Sequence, residues 1–339
     1  MRIKRRTLWL VALGTIVPVI GVIALLSGPL FPFRPAPSSI ALRVANAPDL
    51  DLYLRDAEAR NVGVRPELAK TILWNAPKTR ARTPLALVYL HGFSASRRDI
   101  SPVVETLAST LGANAFLTRL AAHGLASPAA FATVTPQDWL DDAREALAIG
   151  ERIGDRVILM GISTGALLAT MVALDARAPR IAALVLLSPN FAIADRRAQF
   201  LSGPLGPWLA RAIIGEDYSF TPASSGHAAF WTSRYPSHGI VALMDLVNAA
   251  RTLSFNRLTV PTLILYTDKD TVVDTHAIEA HFDEIQSAHK LIVDLPEATR
   301  HELTGDALAP QTVQPVLRQI TEFLSTIGIE TRPPRSEQR

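Results

Sequence analysis

Six short runs along the chain are apolar almost without interruption: "LALVYL" (85–90), "NAFLTRL" (114–120), "RVILM" (156–160), "AALVLL" (182–187), "TLILYT" (262–267) and "KLIVDL" (290–295). A strand with one wet face would alternate apolar and polar residues, so continuous runs predict parallel strands covered on both faces. Between them, apolar positions recur at helical spacing. Trp139, Ala143, Ala146, Leu147 and Gly150 share one face of a helix that Thr135 caps and Pro136 opens. Val313, Val316, Leu317, Ile320, Phe323, Leu324 and Ile327 form a similar stripe near the C-terminus. This alternation predicts an α/β fold, a mostly parallel sheet with helices on both faces.

Two stretches break the rhythm. Residues 190–260 separate two core strands and carry Phe200, Trp208, Phe230, Trp231 and Tyr235. An excursion that long predicts a cap or lid with its own helices rather than a bare loop. At the other end, "LWLVALGTIVPVIGVIALL" (8–26) holds no charge and follows Arg2, Lys4, Arg5 and Arg6. At about 1.5 Å per residue it is long enough for a membrane-spanning helix. The cationic flank puts the N-terminus in the cytoplasm and the body on the periplasmic or extracellular face. A cleaved signal peptide, giving a secreted protein, is the alternative, and a buried core helix is a third. The expected organisation is an anchor or signal segment (1–30), a proline-rich spacer (31–48), an α/β domain (49–330) with its cap insertion (190–260), and a polar tail (331–339).

Composition narrows the chemistry. The 339 residues are 48% hydrophobic, enough for one large core. There is no cysteine, which excludes disulfides, thiolate catalysis and cysteine-held metals. Once the four cations before the apolar segment are set aside, 30 basic residues face 31 acidic ones, well mixed along the chain. That leaves no electrostatic footprint for nucleic acid.

"GISTG" (161–165) follows the run "RVILM" directly and opens onto the helix-like "TGALLATMVAL". G-x-S-x-G arises often by chance, but between a buried strand and a helix the glycines permit a sharp turn. Such a turn lifts the Ser163 hydroxyl above the sheet edge, at a helix N-terminus where negative charge is stabilised. A serine that only caps the helix is the plainer alternative. A nucleophile needs a base and an acid, and in open α/β sheets such groups sit beyond the carboxyl ends of strands. His301, in "PEATRHELTG" after the last strand, meets that requirement. His276, His281 and His289 fall on or beside a helix and read as solvated, while His227 and His238 belong to the cap. For the acid, "TLILYTDKDTVVD" offers three aspartates. Asp274 suits a helix cap and Asp268 crowds the strand end, so Asp270 is assigned, with Asp268 kept open. Oxyanion donors are expected from Thr164 N–H and, in "HGFS" (91–94), from Phe93 N–H. His91 and His123 read as loop-shaping residues.

"VYLHGFSASRRD", "RLAAHG", "GISTG", "LYTDKDTVVD" and "TRHEL" occur in the order found in α/β-hydrolases. The chain resembles the serine hydrolases of that superfamily that include monoacylglycerol lipases, lysophospholipases and bacterial carboxylesterases. The likeness spans roughly residues 60–327. Thr267 stands where the family often has glycine, and "RLAAHG" has alanine where "GHG" is common. The resemblance implies an acyl-enzyme on Ser163, with His301 protonating the leaving group and then activating water while Asp270 orients it. It implies no cofactor and no metal. Epoxide hydrolases and haloalkane dehalogenases would have aspartate at position 163. The expected substrate is a small carboxylic ester with an apolar acyl group, a class that includes lipids. A peptidase or amidase of the same fold, and a non-catalytic binding protein, are the competing functions. The sequence does not set the oligomeric state.

Overall fold

The computed structural model describes residues 33–34, 38–175 and 180–331. Helices α1 (Ser38–Asn46) and α2 (Leu50–Ala59) precede strand β1 (Thr71–Leu73). Then come β2 (Thr83–Leu90), α3 (Val103–Leu111), β3 (Asn114–Leu117), α4 (Pro136–Ile153), β4 (Gly154–Ile162), α5 (Thr164–Asp175) and β5 (Ile181–Leu187). The excursion between core strands holds α6 (Gly206–Ile213), β6 (Asp217–Ser219), α7 (Ser225–Phe230), β7 (Arg234–Pro236) and α8 (His238–Ala250). β8 (Thr262–Tyr266), α9 (Thr275–Glu284), β9 (Lys290–Asp294) and α10 (Val313–Thr326) follow.

Among the described residues, seven strands form one sheet in the order β1-β3-β2-β4-β5-β8-β9. Only β1 runs antiparallel, against β3 at the edge. Side chains alternate between two cores, as the strand period of two requires. Val88, Leu159 and Leu186 face α4, α5 and α8, while Tyr89, Met160 and Leu187 face α3 and α10. Both faces are dry along the apolar runs of β2, β3, β4, β5 and β8, whereas β9, expected to be covered on both faces, lies at the sheet edge with Leu291 exposed. α5 is buried from Thr164 to Ala173 on every side, so it has no polar stripe. α4 begins with the Thr135–Asp138 capping box and Pro136 in its first turn.

Part of the stretch 31–48, expected as a spacer, is helical. Pro32, Pro35 and Pro37 precede α1 in the sequence and Pro48 follows it, and Val44 and Ala47 are buried in the core shared with α4. Arg152 donates to the carbonyls of Val44, Ala45 and Ala47 at 2.6, 2.7 and 3.1 Å, satisfying acceptors at the helix end. β3 also stops at Leu117, short of the run to 120, and Arg119 turns aside to Glu58 of α2. The apolar segment 8–26 and the tail beyond 331 lie outside the described residues. Among the described residues no helix is long and apolar enough to cross a membrane.

Candidate active site

β4 ends at Ile162 and α5 begins at Thr164, so the whole reversal falls on Ser163. Its φ of 54° lies in the left-handed region, a conformation that costs a non-glycine residue about 1–3 kcal/mol. Surrounding contacts hold it there. Ser163 N–H donates to Leu187 O at 2.8 Å, and its carbonyl accepts from Ala166, Leu167 and Asn190. A Cβ on Gly161 would lie 2.4 Å from Gly165 O, and one on Gly165 would lie 2.1 Å from Leu90 O. Only glycine fits either place, because the helix start packs directly on the ends of β2 and β4.

Ser163, Asp270 and His301 follow the carboxyl ends of β4, β8 and β9, and the structure brings them together. His301 Nε2 lies 2.8 Å from Ser163 Oγ, and Nδ1 lies 2.7 Å from Asp270 Oδ2. Asp270 Oδ1 accepts the N–H groups of Val272 and Val273 at 2.8 and 3.1 Å. Burial pushes this carboxyl up. The hydrogen bond and charge of His301 and the two backbone donors outweigh that and hold it below the ordinary value. Asp268, the other candidate acid, is exposed, with its backbone N–H on Asp294. Asp274 caps α9 through His276 N–H.

The remaining histidines sit elsewhere. His276 and His289 are exposed. His281, expected to be solvated, instead stacks on Phe255 at 4.1 Å and meets Phe191 edge-on, because α9 packs its last turn against the core. His227 stacks on Phe220 and meets Trp231 edge-on, and His238 reaches Val134 O.

Phe93 and Thr164 flank Ser163. Among the described residues, neither backbone N–H has an acceptor; at Thr164 this follows from its place in the first turn of α5. The loop carrying Phe93 is clasped reciprocally. His91 Nε2 accepts Leu120 N–H at 3.0 Å, and His123 Nε2 accepts Ser94 N–H at 2.9 Å. Because Nε2 accepts in each ring, Nδ1 carries the proton and donates, to Gly92 O from His91 and to Ala121 O from His123. Burial and the neighbouring Arg119 push His91 down to about 4, and burial above all pushes His123 well below its ordinary value. Both rings are therefore neutral in the fold.

These depressed values tie stability to pH. Above about 6.5, the unfolded value, both states are neutral and the contribution is fully present. As pH falls toward the folded values, the unfolded chain binds more protons and stability is lost. Asp99, pushed up to about 7 by burial, acts in the opposite sense over the same range. A comparison of two chains that share Asp99 isolates the histidine. His123→Gln offers an amide oxygen near Nε2 that takes up no proton. Urea denaturation is expected to show it less stable than wild type at pH 7, with a smaller loss between pH 7 and pH 5. An equal or larger loss would count against the clasp.

Three neighbours of the site escaped the sequence reading. Asp99 sits in the quoted "HGFSASRRD" motif, and its carboxylate accepts Gly92 N–H at 3.0 Å and the Tyr89 hydroxyl. Asn190 N–H supports the Ser163 carbonyl at 3.2 Å. Trp231 lines, with Phe93, Ile162, His301 and Glu302, a cavity of about 40 Å³ at Ser163. Asp99 left a signal, an acid directly after Arg97 and Arg98 in the turn that follows a strand, and Trp231 is among the aromatics of the expected cap. Among the described residues no group of His, Asp and Glu is arranged to hold a metal.

Comparison with known proteins agrees with this architecture. The chain is similar to a structure reported for LipS and LipT, two metagenome-derived lipolytic enzymes, at 20% identity; the match covers 78% of this chain and 99% of that one, with a TM-score of 0.62. It is similar to a soluble variant of the monoglyceride lipase of Saccharomyces cerevisiae, at 15% identity over 76% and 91% with a TM-score of 0.58. For the monoacylglycerol lipase of Paleococcus ferrophilus the values are 17%, 77%, 99% and 0.55. At such identities the likeness is one of fold. No curated protein matches in sequence. The family model described as serine aminopeptidase, S33, matches residues 82–307. That span is well over half the chain and contains the elbow, the acid turn and the histidine loop, so the protein belongs to this family of α/β-hydrolases.

Proposed function

We propose that the protein is a serine hydrolase that cleaves carboxylic esters with an apolar acyl group through an acyl-enzyme on Ser163. One observation carries this reading: the imidazole of His301 bridges Ser163 Oγ and the buried Asp270 carboxylate. With Nδ1–H bonded to Asp270, Nε2 is free to take the hydroxyl proton as Oγ attacks. The imidazolium then protonates the leaving alcohol, and a water activated by the same Nε2 releases the acid. Phe93 N–H and Thr164 N–H receive the oxyanion. The apolar cavity walls of Phe93, Ile162 and Trp231 suit the acyl group. The membrane belongs to the same proposal: the charge-free segment 8–26 anchors the chain, with the catalytic body on the far side from the cytoplasm.

A peptidase acting at a free amino terminus is a second reading. The description of the family favours it, and so does Glu302, an acid that lines the same cavity.

The test is labelling with a fluorophosphonate, followed by turnover of esters of graded chain length beside aminoacyl amides. Expected are label on Ser163, faster cleavage of esters than amides, and recovery of the full chain with the membrane fraction. A folded sample that takes no label would end the serine-hydrolase reading, and faster amide cleavage would favour the peptidase.

A further inference from the structure

Residues 38–73 lie before the family-matched span, yet they reach the oxyanion loop through buried polar contacts. Arg119, only 2% exposed, directs Nε and Nη2 to Glu58 Oε2 of α2, each at 2.8 Å. Its Nη1 donates to His123 O at 3.0 Å. Glu58 Oε1 accepts Lys70 N–H at 3.2 Å, and Arg65 N–H donates to Gly124 O at 3.0 Å. The loop 118–124 is thus fastened to the N-terminal segment around His123. His123 in turn holds Ser94 N–H, one residue from Phe93.

We infer that Glu58 and Arg119 are positioning residues for the Phe93 oxyanion donor, which makes the N-terminal segment a working part of the catalytic site. The physical argument rests on burial. A guanidinium this deep cannot be left without its carboxylate, and removing one partner of such a pair is far more disruptive than the pair is stabilising. Without Glu58 the charge of Arg119 must find water. The shortest way is for the loop 118–124 to move, and it takes the imidazole of His123 with it. A donor held on the oxyanion by this loop then loses its aim, and donors act only where they are already in place as charge develops. The substrate itself is not touched. The effect belongs to the transition state rather than to ground-state binding.

This inference rests on the reading of Ser163 as nucleophile, which fluorophosphonate labelling of the wild type reports separately. The test compares full-length wild type, Glu58→Gln, Arg119→Lys and Tyr53→Phe on a p-nitrophenyl ester, with inhibition by an alkyl trifluoromethyl ketone. Tyr53 bonds Glu145, which pairs with Lys70 in the same buried region; among the described residues neither Tyr53 nor Glu145 makes a hydrogen bond or ion pair with the loop 118–124, which the Lys70 ammonium reaches by way of Asp142 and Ala121 N–H. Glu58→Gln is expected to lower kcat by about 10- to 100-fold, with KM changed less than about 3-fold. It should weaken the ketone, which forms a tetrahedral adduct, by a similar factor. Arg119→Lys keeps the charge without the fork and should fall between Glu58→Gln and wild type, while Tyr53→Phe should lose stability and keep its kcat. Folded Glu58→Gln with kcat within about 2-fold of wild type would overturn the inference, as would a kcat loss shared equally by Tyr53→Phe. If Glu58→Gln does not fold, Arg119→Lys decides: wild-type kcat and ketone affinity overturn it, and a selective loss of both supports it.

Discussion

Ser163→Ala is expected to lower ester turnover by about 10⁴- to 10⁶-fold while the protein remains folded. Alanine keeps the Cβ that the left-handed backbone at φ 54° already tolerates, so the elbow gains no new strain. The backbone contacts to Leu187, Ala166, Leu167 and Asn190 do not involve the hydroxyl and persist. What goes is the one oxygen that His301 Nε2 faces. Residual catalysis from oriented donors and binding can remain, which sets the lower end of the range. Turnover on the best ester of the panel, with thermal unfolding followed in parallel, checks both halves. Activity within tenfold of wild type would remove Ser163 from the mechanism.

Asp270→Asn should cost about 10⁴-fold in kcat, through the tautomer of His301 rather than through its position. The wild-type Oδ1 already accepts two backbone N–H groups, from Val272 and Val273. An asparagine can satisfy those donors only with its carbonyl oxygen. Its NH₂ must then occupy the Oδ2 place and face His301 Nδ1, which can only accept from it. The ring proton is forced to Nε2, where it points at Ser163 Oγ, and the base can no longer take the hydroxyl proton. Asp268→Asn, at an exposed side chain, should stay within about 3-fold of wild type. Kinetics of the two variants side by side decide the acid, and a larger loss at 268 would reverse the assignment.

The sheet was legible because burial on both faces leaves a pattern that a single strand can display. β1 was not: three residues at an edge, antiparallel to β3, carry no such run. α1 was hidden by the prolines before it, and its burial depends on α4, distant in sequence. The chain of contacts from Ser163 through His301 to Asp270 could be anticipated from strand ends, since each residue follows a run that reads as a strand. Asp274 could be assigned to the cap of α9 for the same reason. The reciprocal bonds of His91 and His123, and the pair Glu58–Arg119, depend on which loops lie side by side. No local pattern encodes that adjacency.

The all-round burial of α5 has a bearing on how such a protein can change. The proposed nucleophile directly precedes a helix buried on every side from Thr164 to Ala173, so altered side-chain volumes in that helix are expected to displace Ser163 itself. Adaptation to new substrates is thereby channelled into the excursion between β5 and β8, which reaches the cavity through Trp231. A mutational library confined to that excursion should yield altered selectivity, whereas one confined to α5 should yield mostly inactive chains.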